Sequence, residues 1–358
     1  SGREIFFYPA SNKILDIIDY TPDIIFLSNI HSNYFNIHLI SKWAYKCKLF
    51  YSLQDLWIFT GHCGVPIDCE RFKTGCGECP DLTLPPLILK DKTKKNYKVK
   101  KEILLNNPIN FISPSNWVND QVKNIKLHPD STNTLIPNAI DTNIFSPNSN
   151  KIREEMELLS DDIIIATSAV GFKFNPYKDI YTLINVFNKI QSQNYHNIYL
   201  LIIGDKKENF PEINHKNIIF TNILNSTLEI VNYYNASDIF VHSSHIETWG
   251  YTVSEALSVG KPVIASDVGG IKDQVRGLNY DENKFEQSNI NKYELNDANG
   301  ILFKRSDAVG LYSALVYLIE NKEIRVILGK NARNYALNKL DIQSQLVKFI
   351  NICNRIDK

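Results

Sequence analysis

Short apolar runs recur along the second half of the chain, and amphipathic stretches separate them. Runs of this length, rich in Ile, Val and Leu, are typical of strands buried in a parallel sheet. The predicted strands are residues 162–169 (DIIIATSA), 198–203 (IYLLII), 217–220, 238–242 (DIFVH), 261–266 and 299–303. The predicted helices are residues 179–191, 227–235, 251–259, 307–320 and 341–356. This alternation of strand and helix indicates a doubly wound α/β domain.

The first half of the chain shows the same alternation. The predicted strands are residues 4–8 (EIFFY), 23–27, 48–53, 109–113 and 134–137, and the predicted helices are residues 14–19, 37–45 and 116–126. Ser115 precedes the last of these helices, and serine is a favoured N-cap residue. At 358 residues the chain is long enough for two domains, each with its own core.

The composition excludes several classes of protein. Lys plus Arg and Asp plus Glu number 39 each, so no net charge points to a nucleic-acid partner. No apolar run approaches the roughly 18 residues of a membrane-spanning helix. Residues 1–10 lack the features of a signal peptide. We therefore expect a cytoplasmic protein that binds no nucleic acid.

Residues 245–270 (HIETWGYTVSEALSVGKPVIASDVGG) hold the most informative pattern in the chain. Glu247 and Glu255 stand eight positions apart, on either side of a loop and a predicted helix start. Backbone N–H groups at a helix N-terminus bind anions, and carboxylates accept hydrogen bonds from sugar hydroxyls. This arrangement suits a nucleotide-sugar. The alternative is a pair of solvated or capping carboxylates on a surface helix.

The same stretch resembles the E-x7-E signature of retaining glycosyltransferases of family four, which have the GT-B fold of two Rossmann-like domains facing a cleft. The matching residues are Glu247, Gly250, Glu255, Ala256, Gly260, Pro262, Val263, Ile264, Ala265, Gly269 and Gly270. The resemblance implies that Glu247 contacts the hydroxyls of the donor sugar and that Glu255 holds the ribose. It implies a donor-site role, with backbone amides on the diphosphate, for the residues between them, namely Thr248, Trp249, Gly250, Tyr251 and Thr252.

Other elements of the family occur earlier in the chain. Residues 113–117 (SPSNW) match a P-S-x-W element, and residues 137–147 (PNAIDTNIFSP) match an element that leads into the interdomain linker. The resemblance therefore implies an acceptor-side domain in residues 1–150 and a donor-binding domain in residues 151–340. It also implies that the tail helix, residues 341–358, packs back on the first domain. The glycine-rich turn that ordinarily opens the first domain is missing, so we expect this domain to be truncated.

Two lysines and three strand-end residues complete the predicted donor site. Lys173 and Lys178 lie in the loop where the family has cations that hold the diphosphate. Such cations stabilise the charge that develops on a leaving diphosphate, whereas solvated loop lysines are the alternative. Gly204, Asp205 and Asn222 follow predicted strands and are expected to flank the nucleotide base.

Two residues of the first half are candidate catalytic residues. His31 follows the predicted strand 23–27, and ligands of open α/β sheets bind beyond the carboxyl ends of strands. The alternative is a loop histidine that caps a neighbouring backbone group. Gln54 stands where the family has a histidine that lines the donor sugar. Because an amide forms hydrogen bonds but cannot transfer a proton, this departure puts catalytic turnover in question.

Four of the six cysteines fall within 17 positions, with the spacing C-x5-C-x6-C-x2-C. In a cytoplasmic chain such a cluster favours metal binding over disulfides. Cys63, Cys69, Cys76 and Cys79 would close a tetrahedral structural zinc site. Two disulfides and four free thiols are the alternatives. The surrounding residues 60–80 resemble a subgroup of family-four enzymes of colanic acid or capsule synthesis.

Seven lysines lie between Lys90 and Lys101, both included. A solvated basic face explains most runs of this kind. The alternative is a peripheral contact with the inner face of an anionic membrane, where family members meet lipid-linked acceptors.

These features predict a retaining transfer of a sugar from a UDP- or GDP-linked donor to a hydroxyl of a glycan, glycolipid or polysaccharide precursor. The family's front-face mechanism, in which the leaving phosphate takes the acceptor's proton, implies no protein nucleophile and no catalytic metal. The competing hypothesis is a degenerate GT-B protein that binds nucleotide-sugar without turnover. Gln54 and the missing opening turn favour that hypothesis.

Overall fold

A computed structural model describes residues 4, 8–18, 20–32, 34–149, 151–193, 195–280 and 290–355. The chain divides into two compact units, Ser1–Pro137 and Asn138–Lys358, and each contains a parallel sheet. The predicted α/β class is confirmed. The division at residue 150 and the packing of residues 341–358 on the first domain stay predictions. Most of the predicted strand 4–8 lies outside the described residues.

The first unit is built on a four-stranded parallel sheet whose order follows the chain, β1-β2-β3-β4. The strands are β1 (Ile24–Ser28), β2 (Lys48–Ser52), β3 (Asn110–Ser113) and β4 (Thr132–Leu135). The α-helices are α1 (Leu39–Trp43), α2 (Arg71–Thr74), α3 (Thr93–Asn106) and α4 (Asn116–Lys123). Pro9–Asp16 and Trp57–Phe59 form 3-10 helices. The predicted cap of α4 is present, because the Ser115 side chain accepts a hydrogen bond from Val118 N.

Helix α3 contains most of the lysine run, and one of the seven lysines is buried. Lys100 lies on the buried face of α3 and is 1% exposed, whereas the other six lysines are exposed. Its Nζ lies 2.8 Å from Glu4 Oε2, donates to the Trp57 carbonyl and sits 3.5 Å from the centroid of the Trp57 ring. A buried ammonium is tolerated because its charge is paired and hydrogen-bonded.

The second unit contains a six-stranded parallel sheet of order β10-β9-β8-β5-β6-β7. The strands are β5 (Ile163–Ser168), β6 (Ile198–Ile203), β7 (Ile218–Phe220), β8 (Ile239–His242), β9 (Val263–Ser266) and β10 (Gly300–Phe303). The helices are α5 (Ile152–Glu155), α6 (Ile180–Gln191), α7 (Thr227–Ala236), α8 (Tyr251–Ser258), α9 (Ala308–Glu320), α10 (Lys322–Lys339) and α11 (Ile342–Arg355). Within the described ranges, no helix combines the length and the apolar character that crossing a bilayer demands.

The order of the strands reverses beside β5. Strands β6 and β7 are added on one side of β5, and β8, β9 and β10 are added on the other. At such a switch point the connections after the two adjacent strands diverge, which opens a crevice at their carboxyl ends where ligands of α/β proteins bind. The loops of residues 169–179 and 243–250 follow β5 and β8 and therefore border this crevice.

Candidate functional site

Lys178 and Glu247 meet at the switch point of the second unit. Lys178 Nζ lies 2.5 Å from Glu247 Oε2, and the two side chains are 14% and 19% exposed. Burial alone would raise the pKa of Glu247, but the charge of Lys178 and a hydrogen bond from His242 hold it at about 2. Glu247 is therefore a carboxylate at neutral pH. The structure brings together two of the predicted residues, although 69 positions separate them.

Main-chain hydrogen bonds fix the loop that carries Lys178. Asp179 N donates to Ser243 O at 3.0 Å, and His245 N donates to Tyr177 O at 2.8 Å. These bonds form a short antiparallel ladder between the loop after β5 and the loop after β8. The position of Lys178 thus depends on backbone geometry.

Gly269 and Gly270 hold the backbone of Glu247 on its other side. Gly270 N donates to Glu247 O at 2.8 Å. Gly269 has a φ of +47°, and a Cβ at this position would lie 1.9 Å from Glu247 O. Glycine is required at residue 269 both by the left-handed backbone and by the close approach.

The buried Gln274 braces the start of α8. With its amide oxygen turned toward the donors, Gln274 accepts from Trp249 Nε1 at 3.1 Å and from Gly250 N at 3.2 Å, and it donates to Gly250 O at 3.0 Å. The Gly250 amide, predicted to serve a diphosphate, thus has a partner inside the unit. By helix geometry, the N–H groups of Tyr251 and Thr252 have no partner within α8, and no side chain caps this helix.

His242 also belongs to the site, although no motif pointed to it. It is the last residue of β8, and its side chain is 3% exposed. Its Nε2 lies 3.4 Å from Glu247 Oε2, 3.5 Å from Lys178 Nζ and 2.9 Å from Ser244 Oγ, and its Nδ1 lies 3.2 Å from Thr252 Oγ1. The sequence could have indicated His242 only through its position at the carboxyl end of a predicted strand, where ligands of α/β proteins bind.

Glu255 lies in α8, about one turn after Thr252, and its surroundings differ from those of Glu247. Tyr234 Oη donates to Glu255 Oε2 at 2.7 Å. Burial raises the pKa of Glu255 to about 7, and the hydrogen bond from Tyr234 offsets this only in part. Glu247 and Glu255 therefore differ in charge near neutral pH, as their surroundings dictate.

The other predicted donor residues lie around the same edge of the sheet. Asp205 is 1% exposed, and its Oδ2 accepts from Phe172 N at 2.8 Å, which ties the loop after β5 to the end of β6. Gly204 and Asn222 follow β6 and β7, while Lys173 is exposed in a 3-10 turn. Their roles toward a nucleotide, and that of Thr248, stay predictions.

The first unit has a polar cluster of its own at the carboxyl ends of β1 and β2. His31 Nε2 lies 2.9 Å from Asp55 Oδ2, and His31 Nδ1 lies 2.6 Å from Ser32 Oγ. The described contacts of His31 are thus with side chains, unlike the alternative of a backbone cap. Gln54 Nε2 donates to Ser52 Oγ at 2.8 Å. Sequence reasoning missed Asp55, which directly follows Gln54.

The four clustered cysteines line one cavity of 20 Å³, together with Gly61 and His62. Gly61 N donates to Cys76 Sγ at 3.1 Å, and His62 Nε2 lies 3.3 Å from Cys79 Sγ. All six cysteines are free thiols. In the described part of the chain, no three His, Cys, Asp or Glu side chains are placed as a ready ligand set for a metal ion. Zinc binding by Cys63, Cys69, Cys76 and Cys79 stays a prediction.

The second unit matches a known protein family, and the chain is similar to named glycosyltransferases. The family described as glycosyl transferases group 1 matches residues 149–335, just over half of the chain. The putative colanic acid biosynthesis glycosyl transferase WcaC of Escherichia coli is 25% identical over 262 residues, which cover 68% of this chain and 60% of that protein. The capsular polysaccharide biosynthesis glycosyltransferase CapM of Staphylococcus aureus is 26% identical over 58% of this chain and 50% of its own length.

Solved structures share the fold at low sequence identity. HepE of Anabaena, solved with UDP, is 16% identical and has a TM-score of 0.68 over 97% of this chain and 82% of HepE. The sucrose-phosphate synthase of Thermosynechococcus elongatus is 18% identical and has a TM-score of 0.66 over 93% of this chain and 73% of that enzyme. The fold is therefore the GT-B fold, as the sequence predicts. The chain spans about three fifths of its colanic acid relative.

Proposed function

Because the chain belongs to the glycosyl transferases group 1 family, we propose that it is a retaining glycosyltransferase that uses a nucleoside-diphosphate-sugar. The observation that carries this proposal is the pairing of Lys178 with Glu247 at the switch point, beside the N-terminus of α8. The ammonium and the helix N-terminus suit a diphosphate, and the carboxylate suits sugar hydroxyls. These are the two chemical parts of a nucleotide-sugar.

In the proposed reaction, the bond between the anomeric carbon and the diphosphate oxygen breaks, and the acceptor oxygen bonds to the same face of that carbon. The acceptor's proton moves to the departing phosphate oxygen, so no side chain acts as a nucleophile. Lys178 and the amides of Tyr251 and Thr252 would stabilise the charge on the leaving diphosphate. Glu247 would orient the sugar, and Glu255 the ribose. Since these groups supply the positive charge, we expect no catalytic metal.

The relatives support the choice of substrates. HepE structures contain UDP and UDP-glucose, so we propose a UDP- or GDP-linked donor here. The names of WcaC and CapM place those proteins in colanic acid and capsular polysaccharide biosynthesis. We accordingly propose that the acceptor is a glycan, a glycolipid or a polysaccharide precursor. His31 and Gln54 are the candidate catalytic residues of the first unit, and Gln54 stands where the family has a histidine that lines the donor sugar.

We further propose a peripheral contact of the first unit with the cytoplasmic face of a membrane. Six exposed lysines lie between Lys90 and Lys101, and Leu87 and Leu89 next to them are 63% and 79% exposed. Lysines attract anionic lipid, and exposed leucines insert at the headgroup boundary. Flotation with vesicles of phosphatidylcholine, with and without phosphatidylglycerol, tests this contact. Equal recovery with both vesicles, or none with either, would reject it.

The proposed function is tested by binding and turnover with the full chain. A thermal-shift screen of UDP-glucose, UDP-galactose and GDP-mannose identifies a donor, because a ligand of the folded state raises apparent stability. Release of nucleoside diphosphate from that donor then reports turnover, with Glu247→Ala as the control. Binding without release on any acceptor would support the degenerate binding protein instead. The absence of any binding would overturn the proposal.

A further inference from the structure

His242 lies between Glu247 and the first turn of α8. From the end of β8, its Nε2 faces Glu247, Lys178 and Ser244, and its Nδ1 faces Thr252. Thr252 lies three residues before Glu255, which places the two on adjacent turns of one helix face. A rigid planar ring thus lies between the Glu247 carboxylate and the helix that carries Glu255.

The surroundings of His242 determine how its nitrogens are used. Burial lowers the pKa of His242, and the charge of Lys178 lowers it further, so the ring is neutral at pH 7 and carries one N–H. Glu247 can only accept a hydrogen bond, whereas the Thr252 hydroxyl can also donate. The arrangement that satisfies both has the proton on Nε2, where Ser244 Oγ at 2.9 Å and Glu247 Oε2 at 3.4 Å are the acceptors, with Nδ1 accepting from Thr252.

We propose that His242 is a positioning residue of the donor site, which holds Glu247 against Lys178 on one side and the first turn of α8 on the other. The inference rests on the proposed function, because it gives His242 a role in placing the groups that bind the donor. It assigns no proton transfer to the histidine. The ring fixes the separation between the carboxylate for the sugar and the helix for the ribose.

Three substitutions distinguish this role from simple packing. His242→Leu keeps the volume and removes every hydrogen bond of the ring, to Glu247, Ser244 and Thr252. His242→Gln places an amide nitrogen near the Nε2 position, and His242→Asn places one near Nδ1. Losing a hydrogen bond to a charged group weakens an interaction by roughly tenfold or more. We expect His242→Leu to weaken UDP-glucose binding by about this factor, His242→Gln to restore most of the affinity, and His242→Asn to restore less.

The coupling between His242 and Glu247 gives the decisive readout. Dissociation constants for UDP-glucose, GDP-mannose and UDP are measured by calorimetry for the wild type, the His242 variants, Glu247→Gln and the double variants. If His242 acts through Glu247, His242→Leu changes little in the Glu247→Gln background, and binding of UDP alone falls less than binding of the nucleotide-sugar. Thermal unfolding identifies any variant that fails to fold. If His242→Leu is unfolded, His242→Gln and its double variant take its place in the cycle.

The outcomes separate this inference from the proposed function. If the wild type binds a nucleotide-sugar and His242→Leu binds it equally well, the positioning role is wrong and the proposed function stands. The positioning role is also wrong if His242→Leu loses as much affinity in the Glu247→Gln background as in the wild type. If the wild type binds neither nucleotide-sugar, the donor proposal fails, and the role of His242 fails with it.

Discussion

Lys178 Nζ and Glu247 Oε2 lie 2.5 Å apart, so the cation and the carboxylate of the candidate site form an ion pair. A ligand that binds both groups must offer phosphate oxygens to the Lys178 ammonium and hydroxyls to the Glu247 carboxylate. It thereby replaces part of the contact between the two side chains. The pairing also holds both side chains in place, so little further reorganisation is needed when charge develops on a bound ligand during the reaction. The contact between Lys178 and Glu247 therefore leads to one prediction about catalysis and one about stability.

The catalytic prediction concerns Glu247. We expect Glu247→Gln to lower donor turnover by about 100-fold or more, because a neutral amide neither orients the sugar as the carboxylate does nor balances Lys178. Steady-state release of nucleoside diphosphate measures the change, and circular dichroism checks the fold. Turnover at the wild-type level would mean that the donor pocket has been misassigned.

The stability prediction concerns acid pH. The pKa of Glu247 is held at about 2 in the folded chain, below its ordinary value of 4.5. Its contribution to stability is therefore present above pH 4.5 and is lost as the pH falls toward 2. We expect the wild type to lose about 1–3 kcal/mol more than a Lys178→Met, Glu247→Gln double variant over this range. Urea unfolding at several pH values measures the difference, and parallel curves for the two proteins would contradict it.

Glu255 predicts a pH dependence of donor binding near neutrality. Its pKa is raised to about 7, so the carboxyl is protonated below this pH and becomes a carboxylate above it. If Glu255 holds the ribose as proposed, its carboxylate can accept hydrogen bonds from two hydroxyls, whereas the neutral acid offers fewer acceptors. We expect the affinity for a nucleotide-sugar to rise between about pH 6 and pH 8. Calorimetry on Glu255→Gln is the control, since an equal rise in that variant would assign the titration to another group.

The close approach of Gly269 to the Glu247 backbone predicts that one added methyl group at residue 269 disrupts ligand binding. Gly269→Ala must push the backbone of Glu247 away, because the new Cβ would lie 1.9 Å from the Glu247 carbonyl oxygen. Gly171 is the matched control, since its φ is +68° but no atom lies within 4 Å of a Cβ built there. Both variants carry the left-handed strain of roughly 1–2 kcal/mol. We expect only Gly269→Ala to lose nucleotide-sugar binding, and equal binding losses in a calorimetric titration would refute the close-approach argument.

The cysteine cavity predicts one structural zinc per chain. Binding requires the thiols of Cys63, Cys69, Cys76 and Cys79 to turn toward a common point. Mass spectrometry of the purified metal content should give about one zinc for the wild type and none for Cys76→Ser. Cys353→Ser, outside the cluster, is the control and should keep the metal. A wild-type chain without zinc would reject the four-thiolate site.

Most strands of the second unit could be predicted because most of their residues are apolar and buried. The run IYLLII coincides with β6, Ile198–Ile203, and five of its six residues are buried. Such a run predicts a strand inside the core and not one at the surface. Helix α3 was missed because its buried face includes Asn96 and Lys100, which hide the apolar period. Helix α10 was missed because three of its four buried residues, Gly329, Ala332 and Ala336, are small, and Gly329 approaches the backbone of Gly260 too closely for a side chain.

The sequence proposes members of the candidate site one by one, but it does not predict how they are arranged. Glu247 and Lys178 were identified from their local strings, yet their contact depends on β8 lying beside β5, which is a property of the sheet order. His242 and Asp55 carry no local motif. Their roles arise from partners that are distant in the chain, such as Lys178 for His242 and His31 for Asp55.

The main-chain hydrogen bonds between the loops after β5 and β8 affect which substitutions the edge of the crevice tolerates. Because these bonds join main-chain atoms of Tyr177, Asp179, Ser243 and His245, they place no demand on the side chains at residues 177, 243 and 245. Proline at residues 177 and 245 is the exception, since each has an N–H that donates a hydrogen bond, to Asn175 Oδ1 and to Tyr177 O. At residue 243 burial also limits the size of the side chain, whereas residues 177 and 245 are partly exposed and can vary without moving Lys178. These two positions can therefore alter the surface of the crevice while the main-chain bonds keep the loop of Lys178 in place.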